Sequence, residues 1–261
     1  MSLIVCSAST QNFLEGNKFI VDGPPTKDIL WREGEFDDVI AIGGGAVIDT
    51  AKILSKTRIT CYPTTASGAS ATSHSVYWDG NNKKNCERFI PNNVIFEPNF
   101  IKSLPKHILQ YTKYDAISHC LDVMWSKDYN KLNSIEVENT LQELVNPNTL
   151  PIDTLNLGHT AGSFIQSVPT TILHALSYPI TAKYGVSHGH ALGFLIFPLC
   201  RLFGCIDKVT GLEKLDTFLD IDINFIILES IRYSKFFNVF KEIDIDNLKE
   251  ELIYEKNKLF N

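Results

Sequence analysis

The chain has 261 residues, 44% of them hydrophobic, and a net charge of -6. That is enough apolar material for one large or two modest packed domains without disulfide staples. The acidic balance, with no stripe of Lys and Arg, argues against a nucleic-acid surface, and no apolar run reaches the roughly 18 residues of a membrane span. The six cysteines, Cys6, Cys61, Cys86, Cys120, Cys200 and Cys205, form no CxxC pair. Reduced thiols in a cytoplasmic protein are therefore expected, and the start MSLIVCSAS lacks the basic region of a signal peptide.

The first hundred residues alternate short apolar runs with polar segments: Leu3 to Cys6, Lys18 to Val21, and Asp38 to Ile42 read as strands. After Leu104-Pro105 the texture becomes helical, over Ile108 to Trp125, Leu132 to Val145, Thr160 to Tyr184 with breaks at its prolines, Asn224 to Phe240, and Asn247 to Leu259. Leu192 to Phe203 reads as a buried segment, helical up to Pro198. The expected architecture is an α/β domain over 1–103 followed by an all-helical domain over 104–261.

Strand DVIAI runs into Gly43-Gly44-Gly45-Ala46 and then a helix. Glycines let backbone N–H groups approach an anion, and the helix points its positive end at the same place, so a pyrophosphate would fit. A plain βα connection would look the same, because the spacing is neither GxGxxG nor a Walker loop. A second segment of small polar residues, Pro63 to Ser70, supplies hydroxyls and backbone donors, or is a surface loop.

Asp115 and His119 are four apart in a stretch of helical period, so both leave one face of one helix. With His174 in HALSYP and His188 in HGH they make one carboxylate and three imidazoles, the donor set that holds Fe²⁺ or Zn²⁺. Taken alone, an Asp-x-x-x-His pair is also what a hydrogen-bonded helix face looks like. His74, His107 and His159 have no partner at ligand spacing and read as surface or core histidines.

In this order GGGAVIDTAK, PTTASGAS, DAISHCLD and HALSYPITAKYGVSHGHA resemble the group III, iron-dependent alcohol dehydrogenase family. Within it VYWDG, VMWSKDYN and HALSYPIT are most similar to the phosphonoacetaldehyde reductase-like branch. The resemblance implies a dehydroquinate synthase-like architecture, an α/β N-terminal nucleotide-binding domain with a parallel sheet and an all-α C-terminal metal-binding domain, with an active site in the cleft between them. By motif position it implies Asp115, His119, His174 and His188 as metal ligands. Gly44, Gly45 and Ala46 then match the cofactor diphosphate loop, Thr64, Thr65 and Gly68 the second cofactor loop, and Lys83 or Lys84 a lysine near the cofactor. The activity implied is hydride transfer between NADPH or NADH and a small polar aldehyde or alcohol, with a homodimer left open. A dehydroquinate synthase-like lyase and a catalytically silent metal-binding relative are the alternatives.

Several positions depart from the family pattern. Tyr178 stands where the family often has a relay histidine, and His190 either substitutes for it or is a helix-start residue. Ser7 replaces an aspartate that bonds the adenosine ribose, which leaves NADPH open, and Ala71 replaces an acidic residue. Beside that family the chain is short, with material expected to be missing before Leu3, around Asn12 to Lys18, and between Asn146 and Thr160. An acidic substrate would need a cation in the cleft, for which Lys183, Lys127 and Arg201 are candidates.

Overall fold

The computed structural model describes residues 2–102, 104–214 and 220–258. It divides into two compact units, Met1–Leu109 with Pro151–Gln166, and Gln110–Leu150 with Ser167–Asn261.

The first unit is built on a parallel sheet. Strands β1 (Leu3–Ser7), β2 (Asn17–Val21), β3 (Phe36–Gly43), β4 (Ser55–Pro63) and β7 (Asn93–Val94) lie in the order β2-β1-β3-β4-β7. The run Leu3 to Cys6 is apolar throughout because both faces of its strand are covered. Leu3 and Val5 pack with Val47, Ile48, Ala51 and Leu54 of helix α1 (Gly45–Leu54), while Ile4 and Cys6 meet Ile42 on the opposite face. Burying each of the Leu, Ile and Val side chains among them contributes about 1.5–3 kcal/mol.

Chain order reverses between β1 and β3, and ligands of open α/β sheets bind outside the carboxyl ends of the strands at such a switch point. Ser7 and the glycine turn both lie there. The link from β1 to β2 contains no helix, only turns that include Ser7 to Thr10, and Thr10 Oγ1 donates to Ile42 O at 2.7 Å to tie it to the sheet.

A hairpin of β5 (His74–Asp79) and β6 (Asn82–Glu87) follows, turning at Gly80, whose φ of 62° is left-handed. Helix α2 (Pro98–Lys102) closes the N-terminal segment, and α5 (Pro151–Ser167) returns to this unit.

The second unit holds α3 (Lys106–Trp125, from Gln110 on), α4 (Ser134–Val145), α6 (Ile172–Tyr184), α7 (His188–Leu202), α8 (Ile223–Ser230) and α9 (Ile245–Lys258). Every residue of α6 from Ile172 to Ile180, and of α7 from Ala191 to Cys200, is buried. Such helices are covered on every side by protein, so neither presents a continuous polar face to solvent over that span.

Three expectations need correction. Helix α7 does not stop at Pro198 but runs through it to Leu202, and α6 likewise contains Pro179; the break falls instead near Pro169, between α5 and α6. A proline removes one hydrogen bond, a loss that burial on all sides of these helices outweighs. The stretch Asn224 to Phe240 is not one helix. Asp222 caps α8 by accepting from Phe225 N, α8 ends at Ser230, and a separate short turn covers Ser234–Phe237. Of the last expected helix, Leu259 lies outside the described residues.

Candidate metal centre

Helix α3 carries three acid and imidazole groups on one face: Asp115, His119 one turn later, and Asp122 at the next. Asp122 is fully buried, and its carboxylate works at the start of α6. It accepts from the backbone N–H groups of Leu173 at 3.1 Å and His174 at 3.3 Å, and from Thr171 Oγ1 at 2.6 Å. An anion at a helix N-terminus satisfies orphan donors and meets the positive end of the dipole. The same carboxylate reaches Nδ1 of His174 at 2.7 Å, which leaves Nε2 facing the opposite way.

His188 is the first residue of α7, and Gly189 is what lets it come so close to α3. A Cβ at Gly189 would lie 2.1 Å from the Tyr111 carbonyl oxygen. One turn further, a Cβ at Gly193 would lie 2.5 Å from the Tyr114 ring.

These constraints bring the four expected ligands together. Asp115 Oδ1 lies 3.5 Å from Nε2 of His119, 3.8 Å from Nε2 of His174 and 3.9 Å from Nε2 of His188. Donors about 2.0–2.2 Å from one tetrahedral cation lie about 3.3–3.6 Å apart. Asp115, His119 and His174 form the tighter group, with donor atoms all within 4.8 Å of one another. Asp115 Oδ1 is buried and makes no hydrogen bond among the described residues. A carboxylate oxygen set among three ring nitrogens, all slightly beyond hydrogen-bond reach, fits a shared divalent cation.

Electrostatics agree. Burial pushes the Asp115 carboxyl up, but the imidazoles of His119, His174 and His188 outweigh it and hold it well below the usual carboxylate range. Burial likewise raises Asp122, and His174 with Thr171 brings it below its ordinary value. His174, opposed by burial yet flanked by Asp115 and Asp122, is pushed up to about 9. Two carboxylates around one imidazole call for positive charge, from a proton or a metal. The His188 side chain is 25% exposed against 4% for His119 and 5% for His174, so the group opens to solvent on the His188 side.

The other nominated residues fall as follows. Tyr178, one turn after His174, has its ring 6.1 Å from that of His188, and its hydroxyl accepts from Lys235 Nζ at 2.8 Å. The His190 ring stacks on Tyr111 at 4.9 Å.

In the first unit, Gly44 caps α1 without a side chain, and Gly45 and Ala46 begin the helix. The glycine turn and the Pro63 to Ser70 segment meet: Thr64 N donates to Gly43 O, and a Cβ on Gly44 would lie 3.0 Å from Thr65 Oγ1. Gly68 is left-handed and lies against α5, where a Cβ on Gly162 would come within 2.4 Å of its carbonyl oxygen. His159 on the same helix reaches Ser70 Oγ at 3.0 Å. The segment is partly buried rather than a surface loop. Lys84 is exposed and pairs with Asp79 at 2.6 Å, whereas the charge of Lys83 bears on Asp49 of α1.

Sequence reasoning missed Asp122 and Lys235. Asp122 had a signal, since it stands seven residues after Asp115 and three after His119. Lys235, 57 residues from Tyr178 along the chain, had none.

The fold is that of the iron-containing alcohol dehydrogenases, several of whose solved structures superpose on it. Sulfoacetaldehyde reductase from Bifidobacterium kashiwanohense, solved with NAD+, matches with a TM-score of 0.81 at 18% identity over 98% of this chain and 90% of its own. In sequence the chain is 24% identical to phosphonoacetaldehyde reductase from Streptomyces viridochromogenes over 72% of its own length and 60% of the relative's. It is 27% identical to 4-hydroxybutyrate dehydrogenase from Clostridium kluyveri over 66% of its length and 55% of that enzyme's. The chain thus spans under two thirds of the curated relatives it matches. No protein-family model matches it. The resemblance read from the four motifs is borne out by these relatives and by the fold. Among the described residues no helix is long and apolar enough to cross a membrane.

Proposed function

We propose that the chain is a metal-dependent, NAD(P)-linked alcohol dehydrogenase or aldehyde reductase acting on a small polar aldehyde or alcohol. The observation that carries this reading is the convergence of Asp115 Oδ1 with Nε2 of His119, His174 and His188 at 3.5–3.9 Å. Those four residues would hold Fe²⁺ or Zn²⁺. When bound, such an ion supplies Lewis acidity to a carbonyl or alkoxide oxygen.

The remaining work falls to the chain. Asp122 fixes the His174 ring through Nδ1 and keeps Nε2 presented. In the first unit, the backbone N–H groups at Gly44, Gly45 and Ala46 bind the cofactor diphosphate at the switch point, and Thr64, Thr65 and Gly68 form the adjoining wall. Lys83, the lysine whose charge bears on α1, is the better candidate for the cofactor side than Lys84. With Ser7 at the end of β1, no carboxylate stands at that position to repel a 2′-phosphate, so NADPH is accepted as well as NADH. Tyr178, beside His174 and His188, is the group placed to pass a proton to the product alkoxide, and His190, two residues after His188 and stacked on Tyr111, is the alternative. On this reading the nucleotide belongs to 1–103 with α5 joined to it, and the metal to the rest of 104–261. Six free thiols suit the cytoplasm.

The names of the two curated relatives denote substrates that carry a phosphonate and a carboxylate, which supports a polar substrate. The test is oxidation of NADPH and NADH by purified, metal-loaded protein with a panel of small aldehydes. Turnover that disappears on chelation and in His188→Ala is expected; undiminished turnover without metal would contradict the reading.

A further inference from the structure

We infer that Lys235 is the cationic subsite that takes the acidic end of the substrate, so that the protein selects aldehydes bearing a carboxylate or phosphonate. This rests on the reductase reading above and names the residue that would set its specificity.

The argument starts from Tyr178. Its ring stacks 6.1 Å from that of His188, its hydroxyl accepts from Lys235 Nζ at 2.8 Å, and the same Nζ lies 4.8 Å from the ring centre. One phenol thus contacts both the ammonium and His188, the most solvent-open of the three imidazoles. Lys235 also donates to Thr170 Oγ1 at 3.1 Å, just before α6 begins. Two neutral oxygens thus hold the ammonium in place.

Neither oxygen neutralises it. Among the described residues no carboxylate lies within 4.0 Å of Lys235 Nζ, although most of the other short lysine and arginine contacts are ion pairs. An ammonium has three donors, and the two contacts described engage two of them. Lys235 is only partly exposed, so its side chain is positioned rather than swinging in water. A fixed, partly desolvated cation with a donor to spare beside a reaction centre is what recognition of a small anion requires.

Two of the cations nominated from the sequence do not meet that description. Lys183 Nζ lies 3.6 Å from the Phe225 ring centre with no oxygen holding it among the described residues, and Arg201 is committed to Glu251 at 2.6 Å and Glu255 at 2.9 Å.

The experiment compares two aldehydes of equal length, 4-oxobutanoate and butanal, with metal-loaded wild type, Lys235→Met and Lys235→Arg. The preference in kcat/KM for 4-oxobutanoate should fall about 10- to 100-fold in Lys235→Met, through KM more than kcat, and Lys235→Arg should restore most of it. A purely structural pin would depress both aldehydes together. A preference that stays within about threefold of wild type, or that both variants lose equally, overturns the assignment while leaving the reductase reading intact. Wild-type protein inert with 4-oxobutanoate overturns the subsite, whereas inertness across the whole aldehyde panel removes the reductase reading as well.

Discussion

Asp122 Oδ2 lies 2.7 Å from Nδ1 of His174, and the same carboxylate accepts from the backbone at the start of α6. One buried side chain therefore sets both the tautomer of a metal-ligand candidate and the end of the helix that carries it. Asp122→Ala is expected to weaken zinc binding about 10- to 100-fold, read by competition with a chromogenic chelator. Asp122→Asn, whose carbonyl can still accept from Nδ1–H, should recover part of the loss. Wild-type affinity in Asp122→Ala would mean that α6 positions His174 unaided.

Protonation of His174 should compete with metal. In the metal-free protein its value, pushed up to about 9, exceeds that of an unfolded histidine near about 6.5. The charged ring therefore stabilises the fold fully below pH about 6.5, and that contribution is lost as pH rises through about 9. The gap corresponds to on the order of 3 kcal/mol. Urea midpoints of chelated protein should fall over that window, while apparent metal affinity climbs up to tenfold per pH unit, roughly, as the proton to be displaced disappears. A flat affinity profile would contradict the geometry at Nε2.

Gly162→Ala should damage the segment proposed to hold the cofactor. The new methyl would lie 2.4 Å from Gly68 O and 2.6 Å from its Cα, backbone atoms that cannot swing aside. A loss of about 1–3 kcal/mol in chemical denaturation is expected, with NADPH affinity weakened and zinc affinity nearly untouched. Equal loss of both affinities would show general unfolding instead.

Gly189→Ala should act on the other unit. Its methyl would meet the Tyr111 carbonyl oxygen at 2.1 Å and push the start of α7, with His188, away from α3. Metal affinity should fall at least about tenfold while nucleotide binding persists, a contrast with Gly162→Ala that titration of each ligand would reveal.

Much of this was readable in the residues. The apolar runs LIVC and DVIAI announce covered strands, the glycines after Ile42 announce the tight turn, and the four-residue spacing of Asp115 and His119 places both on one helical face. What escaped has physical causes. Proline rules are local, whereas α6 and α7 owe their continuity past Pro179 and Pro198 to burial on every side. The return of α5 to the first unit depends on Gly158 and Gly162 admitting the backbone of Ala66 and Gly68, a contact between segments about ninety residues apart. The hairpin strand NKKNCE is polar and lacks alternation, so only its turn residues marked it. Lys235 reaches Tyr178 from a short turn that no periodicity singles out.

The central claim is that one cation sits among Asp115, His119, His174 and His188. A crystal structure of protein purified with zinc, with data at the zinc absorption edge, tests it most directly. The account predicts one strong anomalous peak per chain in bonding contact with the carboxylate and all three Nε2 atoms; zinc bound elsewhere, or four side chains that remain apart with metal in excess, would contradict it.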